Sequence, residues 1–182
     1  TVDNAGLTNA PAFQALQTQV NDSAVGTNLL LNTQNPDYDS LWVGGWTKTS
    51  DTYNNLSVVA MTGDWGGISQ YYQVKKDEVY TFSTYARLSG ATSSAWVQGL
   101  FGLNTNPENG YSSASVTNDA NSVELSGDWN RVSITFTVIT DGWIKPRLER
   151  GTSTTSTLEV CGYKLEKGSV ATDWCPNPSE IL

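Results

Sequence analysis

The chain has 182 residues, enough for one good-sized domain and a short extension, with 15% charged residues, a formal net charge of -8 and no histidine. The acidic balance argues against a nucleic-acid footprint, and the missing histidines exclude Ser-His and Cys-His nucleophilic pairs and most catalytic zinc sites. No apolar run is long enough to span a membrane, and 16 Gly and 7 Trp among abundant Ser, Thr and Asn are the profile of an all-β protein.

Residues 1–25 read as a separate N-terminal unit. The opening residues do not resemble a secretory signal. Asn9 is placed to cap a helix with Pro11 in its first turn. Phe13, Leu16 and Val20 then recur at three and four residues, a narrow apolar stripe too short to hold a helix alone in water. Two readings stand: a neck that makes a homo-oligomer or joins a larger protein, and a linker helix lying on the domain.

The β domain, residues 26–182, opens at Gly26-Thr27-Asn28-Leu29-Leu30-Leu31-Asn32-Thr33. A loop with Asx and Pro turn chemistry follows, from Asn35 to Ser40. Short strands are then expected at Leu56–Met61, Ile68–Val74, Val79–Leu88, Ala95–Leu103, Ser122–Leu125, Arg131–Ile139, Trp143–Glu149 and Thr157–Leu165. Strands at this spacing, with no amphipathic helix between them, mean a sandwich or barrel. Asn104–Asn121 is the longest irregular stretch. Near the end, Leu165-Glu166-Lys167-Gly168-Ser169-Val170-Ala171-Thr172-Asp173-Trp174 delivers a Trp just before the tail Cys175-Pro176-Asn177-Pro178, which cannot continue a strand. Trp174 is read as a lid over one end of a core. The two cysteines, Cys161 and Cys175, are either one bridge or two buried thiols.

The closing Leu-Glu-Lys-Gly…Ala-Thr-Asp-Trp run, with the opening Gly-x-Asn-Leu-Leu-x-Asn run and a following Trp (Trp42 or Trp46), resembles a known family. These are the carbohydrate-binding-module-like jelly-roll domains in tail and baseplate proteins of phages that infect Gram-positive bacteria. The resemblance covers roughly residues 26–180. It implies a jelly-roll β-sandwich, here behind the short N-terminal helical extension read above, a place in the virion, and recognition of host cell-wall polysaccharide alongside other tail proteins. In such domains the ligand lies on the concave sheet or at the loops along its edge, and the position of Trp129 is one of packing. Related modules carry a structural Ca²⁺, for which Asn28, Glu166 and Asp173 would offer oxygens here; no other cofactor is implied.

Period-two alternation assigns the faces. Tyr80, Phe82, Thr84, Ala86 and Leu88 form a core row, leaving Thr81, Ser83, Tyr85 and Arg87 on a row too polar to be buried. Val132, Ile134, Phe136 and Val138 point inward, with Arg131 outward; Ile144 and Leu148 point inward, leaving Trp143, Lys145, Arg147 and Glu149 outside. Val97 and Phe101 are assigned to the core and Trp96 and Gln98 to the outer face. The outer rows suggest a sugar site of Tyr85, Arg87, Trp96, Gln98, Tyr111, Trp143 and Arg147. Aromatic faces there would stack on C–H groups, and charged and amide groups would fork onto vicinal hydroxyls. Its cations would suit a polysaccharide bearing phosphate or carboxylate groups. The alternative is a solvated face with cross-strand ion pairs, such as Arg147 or Lys145 with Glu149. Trp42, Trp46 and Trp65, in Gly-rich loops, are binding tips or loop anchors, and one of Tyr71 and Tyr72 is expected to be exposed.

A glycosidase would need two carboxylates facing each other. Glu149 and Glu159 come nearest, and only Glu149 falls on the proposed face, so the domain is read as a non-enzyme. A purely structural baseplate part would instead keep Tyr85, Trp96 and Arg147 shielded by neighbouring protein.

Overall fold

The computed structural model describes residues 6, 10–22, 26–90, 99–103, 110–152 and 155–181. Helix α1, Pro11–Asp22, has Pro11 in its first turn as expected, with the Gln14 amide donating to the Ala10 carbonyl at 3.0 Å. Phe13 is half-buried and Leu16 exposed; Asn9 and the side chain of Val20 lie outside the described residues.

Eleven strands follow among the described residues: β1 Thr47–Tyr53, β2 Leu56–Met61, β3 Tyr72–Val74, β4 Val79–Ser89, β5 Gly99–Gly102, β6 Ser115–Val116, β7 Ala120–Val123, β8 Asn130–Thr140, β9 Gly142–Ile144, β10 Arg147–Arg150 and β11 Thr157–Lys167. One sheet has the order β1-β2-β11-β4-β8-β6. The second layer holds β10-β5-β7 and the pair β3-β9. β9 and β10 are two halves of one run, interrupted at Pro146, which has no N–H to give to a ladder. The Lys145 amide still donates to the Leu103 carbonyl at 3.1 Å, and that of Arg150 to Gly66 at 2.8 Å, so the run stays flanked on both sides.

The main core lies between these layers, with Phe82 wedged against the edges of Phe101 and Tyr163. The inward rows are as expected: Tyr80, Phe82, Ala86, Leu88, Phe101, Ile134, Phe136, Val138, Ile144 and Leu148 are all buried. Two short strands were not expected. β1 is an edge strand of polar residues, with no apolar alternation to betray it, turned into β2 by Asn54 and Asn55 at φ 49° and 62°. β6 lies inside the stretch read as irregular.

The polar row of β4 corrects one expectation. Thr81 and Ser83 are fully buried, Thr81 paired with the C-terminal strap that runs from Gly168 to Asn177 and Ser83 with Arg131 of the neighbouring strand β8. Thr81 Oγ1 donates to the Gly168 carbonyl at 2.8 Å, and Ser83 Oγ accepts from Arg131 Nη2 at 2.8 Å. Trp174 is therefore a lid on the outer side of the larger sheet. It closes a second small cluster of Leu56, Val58 and Cys161 with Tyr53, Tyr85 and Trp129, and its Nε1 donates to Thr33 Oγ1 at 3.0 Å.

Asn28 stitches the strap to the start of the domain. Its Nδ2 reaches Thr33 Oγ1 and the carbonyls of Tyr163 and Cys175 at 2.9–3.1 Å, while Oδ1 accepts from the amides of Leu30 and Leu165. Beside it, buried Lys164 donates to Thr172 Oγ1 at 2.7 Å and to the Asp173 carbonyl at 2.8 Å, and lies 3.9 Å from Glu166. Asn28, Glu166 and Asp173 do not fit a Ca²⁺ ion. The Asn28 oxygen is spent on backbone amides, and an ammonium group already sits among the oxygens near Glu166.

Cys161 and Cys175 are separate thiols. Burial pushes the Cys161 thiol up to about 12, while Cys175 donates to the Gly26 carbonyl at 3.4 Å. Thiol titration of the denatured, unreduced protein should find both, and titration of the native protein only the half-buried Cys175. No free thiol on denaturation would mean that the two are bridged.

Candidate functional site

The outer face of the smaller layer gathers an aromatic group from three separate segments. Gly142 makes this possible. Its φ of 155° and missing side chain let the backbone of Ser112–Ala114 run alongside β9, where a Cβ would lie 2.5 Å from the Ala114 nitrogen. The Trp143 amide donates to Ser112 at 2.8 Å, and that of Ala114 donates back to Trp143 at 3.0 Å. Tyr111 is thus held beside Trp143, their ring centroids 4.6 Å apart at 65°. Tyr71, just before β3, stacks on Tyr111 at 4.1 Å and 15°, and Lys145 Nζ lies 5.8 Å from the Tyr71 ring centroid.

Further along the same row, Arg147 Nε donates to Glu149 Oε1 at 2.7 Å. The Arg147 stem rests on Gly67, and Glu149 lies over Gly102, which has no side chain to push it away. Tyr71, Tyr111, Trp143, Lys145, Arg147 and Glu149 are all half-buried, fixed by neighbours yet open to solvent. Chemically this is a ring platform beside an ordered donor–acceptor pair, the set that stacks on sugar C–H groups and grips adjacent hydroxyls.

Tyr111, Trp143 and Arg147 are therefore brought together, but Tyr85 and Arg87 are not with them. Those two lie on the outer face of the larger sheet, across the core, so the seven residues do not make one site. Arg87 Nε donates to Glu159 Oε2 at 2.7 Å, and its guanidinium covers one side of Trp129 at 4.8 Å. Tyr53 stacks on Trp129 at 4.7 Å, and Arg131 covers Tyr85 at 4.5 Å. Period-two alternation separates in from out; it does not say which layer a strand joins. Trp96 and Gln98 lie outside the described residues. The alternative of a cross-strand pair also has substance, since Arg147 and Glu149 do pair, although along one strand. Tyr71 was singled out only as one of two rings straddling a strand; its place beside Tyr111 depends on a loop contact.

Of the loop tryptophans, Trp42 is 5% exposed and a core anchor, Trp46 is half-buried against Tyr38, and Trp65 is 44% exposed. Glu149 and Glu159 point away from the core on opposite layers and cannot flank one glycosidic bond.

No family model matches the chain, and no curated protein matches it in sequence. Solved structures do resemble it. A family 4 carbohydrate-binding module (CBM4) superposes with a TM-score of 0.52 at 16% identity, over 75% of this chain and 97% of that one. The tripod from the baseplate of bacteriophage Tuc2009 (BppUct-A-L) gives 0.51 at 19%, over 85% of this chain and 60% of its own. The enzymatically active domain of bacteriophage CBA120 tailspike protein 4 gives 0.54 at 9%, over 78% of this chain and 21% of its own. The chain has the two-layer jelly-roll fold of carbohydrate-binding modules, a fold that also occurs in phage tail and baseplate proteins.

Proposed function

We propose that this domain is a non-catalytic carbohydrate-binding module of a phage tail or baseplate protein that attaches to host cell-wall polysaccharide. The binding surface in this reading is the outer face of the smaller layer. The observation that carries it is the half-exposed group of Tyr71, Tyr111 and Trp143 in line with Lys145 and the Arg147–Glu149 pair. The likeness in fold supports the class of ligand and the virion setting, and the separation of Glu149 from Glu159 supports binding without hydrolysis. Helix α1 serves as the connection to other tail proteins or to copies of the chain.

The test is binding of the full chain to a panel of Gram-positive cell-wall polysaccharides. Trp143→Ala is expected to weaken binding by about 1–3 kcal/mol, by analogy with the loss of one stacking ring, and to leave the domain folded. Added salt should weaken it further if the polysaccharide is anionic. Unchanged binding by Trp143→Ala and Tyr111→Ala would move the site elsewhere. No binding by the unaltered chain would leave a structural part of the baseplate.

A further inference from the structure

A second concave feature adjoins this face. Two segments cross from one layer to the other at the same edge: residues 43–47, from the Val43–Ser69 bridge into β1, and residues 61–69, from β2 back to that bridge. Between them lies a groove of about 350 Å³, lined by Trp46, Thr47, Thr62, Asp64 and the glycines at its rim. One face of the Trp46 ring stacks on Tyr38 at 4.8 Å, and Lys48 lies over the Tyr38 ring. Asp64 is anchored by Arg150 Nη1 at 2.9 Å and Thr152 Oγ1 at 3.1 Å, yet its side chain remains 54% exposed, with lone pairs left for hydroxyl donors.

What joins the groove to the aromatic face is a ridge without side chains. Gly44 and Gly45 of one crossing meet Gly66 and Gly67 of the other so closely that a Cβ on Gly44 would lie 2.1 Å from the Gly67 carbonyl oxygen. Arg147, from the aromatic face, lies along this ridge: its Cδ would be 2.9 Å from a Cβ on Gly67, and its Nη1 3.6 Å from one on Gly44. The same guanidinium thus joins the face to the ridge, on whose other glycines, Gly45 and Gly66, the groove opens. From Trp143 to Glu149 the face already runs about 20 Å at strand rise, longer than one or two sugar rings.

We propose that the groove is a second carbohydrate subsite, continuous with the face across the glycine ridge, so that the domain binds the interior of a long glycan chain and not a terminal sugar. This rests on the functional reading given above. Trp46 supplies the stacking ring and Asp64 the acceptor for sugar hydroxyls, and the bare ridge lets the chain pass close to the backbone.

The experiment compares a wall polysaccharide bound by the full chain with short fragments made from it by partial acid hydrolysis. The polymer should bind more tightly than the fragments. Trp46→Leu should lower polymer affinity roughly tenfold, the effect of one stacked ring, and spare fragment affinity, whereas Trp143→Ala should weaken both. Thr62→Gln, at an exposed position on the groove wall, should weaken polymer binding in the same sense and decides the matter if Trp46→Leu fails to fold. Equal affinity for fragments and polymer, or polymer binding untouched by both groove variants, overturns the second subsite and leaves the face standing. Loss of fragment binding in Thr62→Gln, with Trp143→Ala unaffected, overturns the continuity and the face together.

Discussion

Replacing Glu166 by Ala is expected to destabilise the domain by about 3–5 kcal/mol, because it leaves a buried ammonium without its anion. Lys164 and Glu166 are 1% and 0% exposed, with Nζ 3.9 Å from Oε2. Glu166 also accepts from the amide and hydroxyl of Thr172, at 3.1 and 2.7 Å, so its loss frees the strap as well as the charge. Removing both charges, as Lys164→Met with Glu166→Leu, should recover a large part of the loss, since the cost lies mainly in the uncompensated ion. Denaturant unfolding of the two variants measures this. A loss below about 1 kcal/mol in the single variant would mean that water reaches the pair. Release of the strap would also expose the Trp174 cluster, which tryptophan fluorescence would report before global unfolding.

Gly142→Ala is expected to cost about 3 kcal/mol through overpacking and backbone strain. All three of its nearest neighbours are backbone atoms, the Ala114 nitrogen at 2.5 Å, the Ser113 carbonyl carbon at 2.7 Å and the Ser112 oxygen at 2.8 Å, and none can rotate away. The segment must then move off β9 and carry Tyr111 away from Trp143. Near-UV circular dichroism should lose the signal of that ring pair, and polysaccharide binding should fall as in Trp143→Ala. A variant as stable as the unaltered chain would show that the two backbones are not held this close.

Sequence alone determined the class of fold and the inward rows of β4, β8 and β10. A strand with one buried face must alternate, and Tyr80, Phe82, Ile134, Phe136 and Leu148 state that alternation openly. The opening and closing runs resembled a jelly-roll family, and the two ends do meet, through Asn28, Thr33 and Trp174. Tertiary structure decided the rest. Alternation is a local property, whereas the layer a strand joins depends on pairing with distant segments, so nothing local separated Tyr85 and Arg87 from Trp143 and Arg147. Thr81 and Ser83 looked too polar to bury until the strap from the far end of the chain brought Thr81 a partner and Arg131 of β8 brought Ser83 one. Tyr71 and Tyr111 stack because two loops converge on β9, and β1 forms because β2 offers it an edge. Apart from the local β1–β2 hairpin, these outcomes depend on contacts between residues far apart in the chain, which a periodicity read within one segment does not contain.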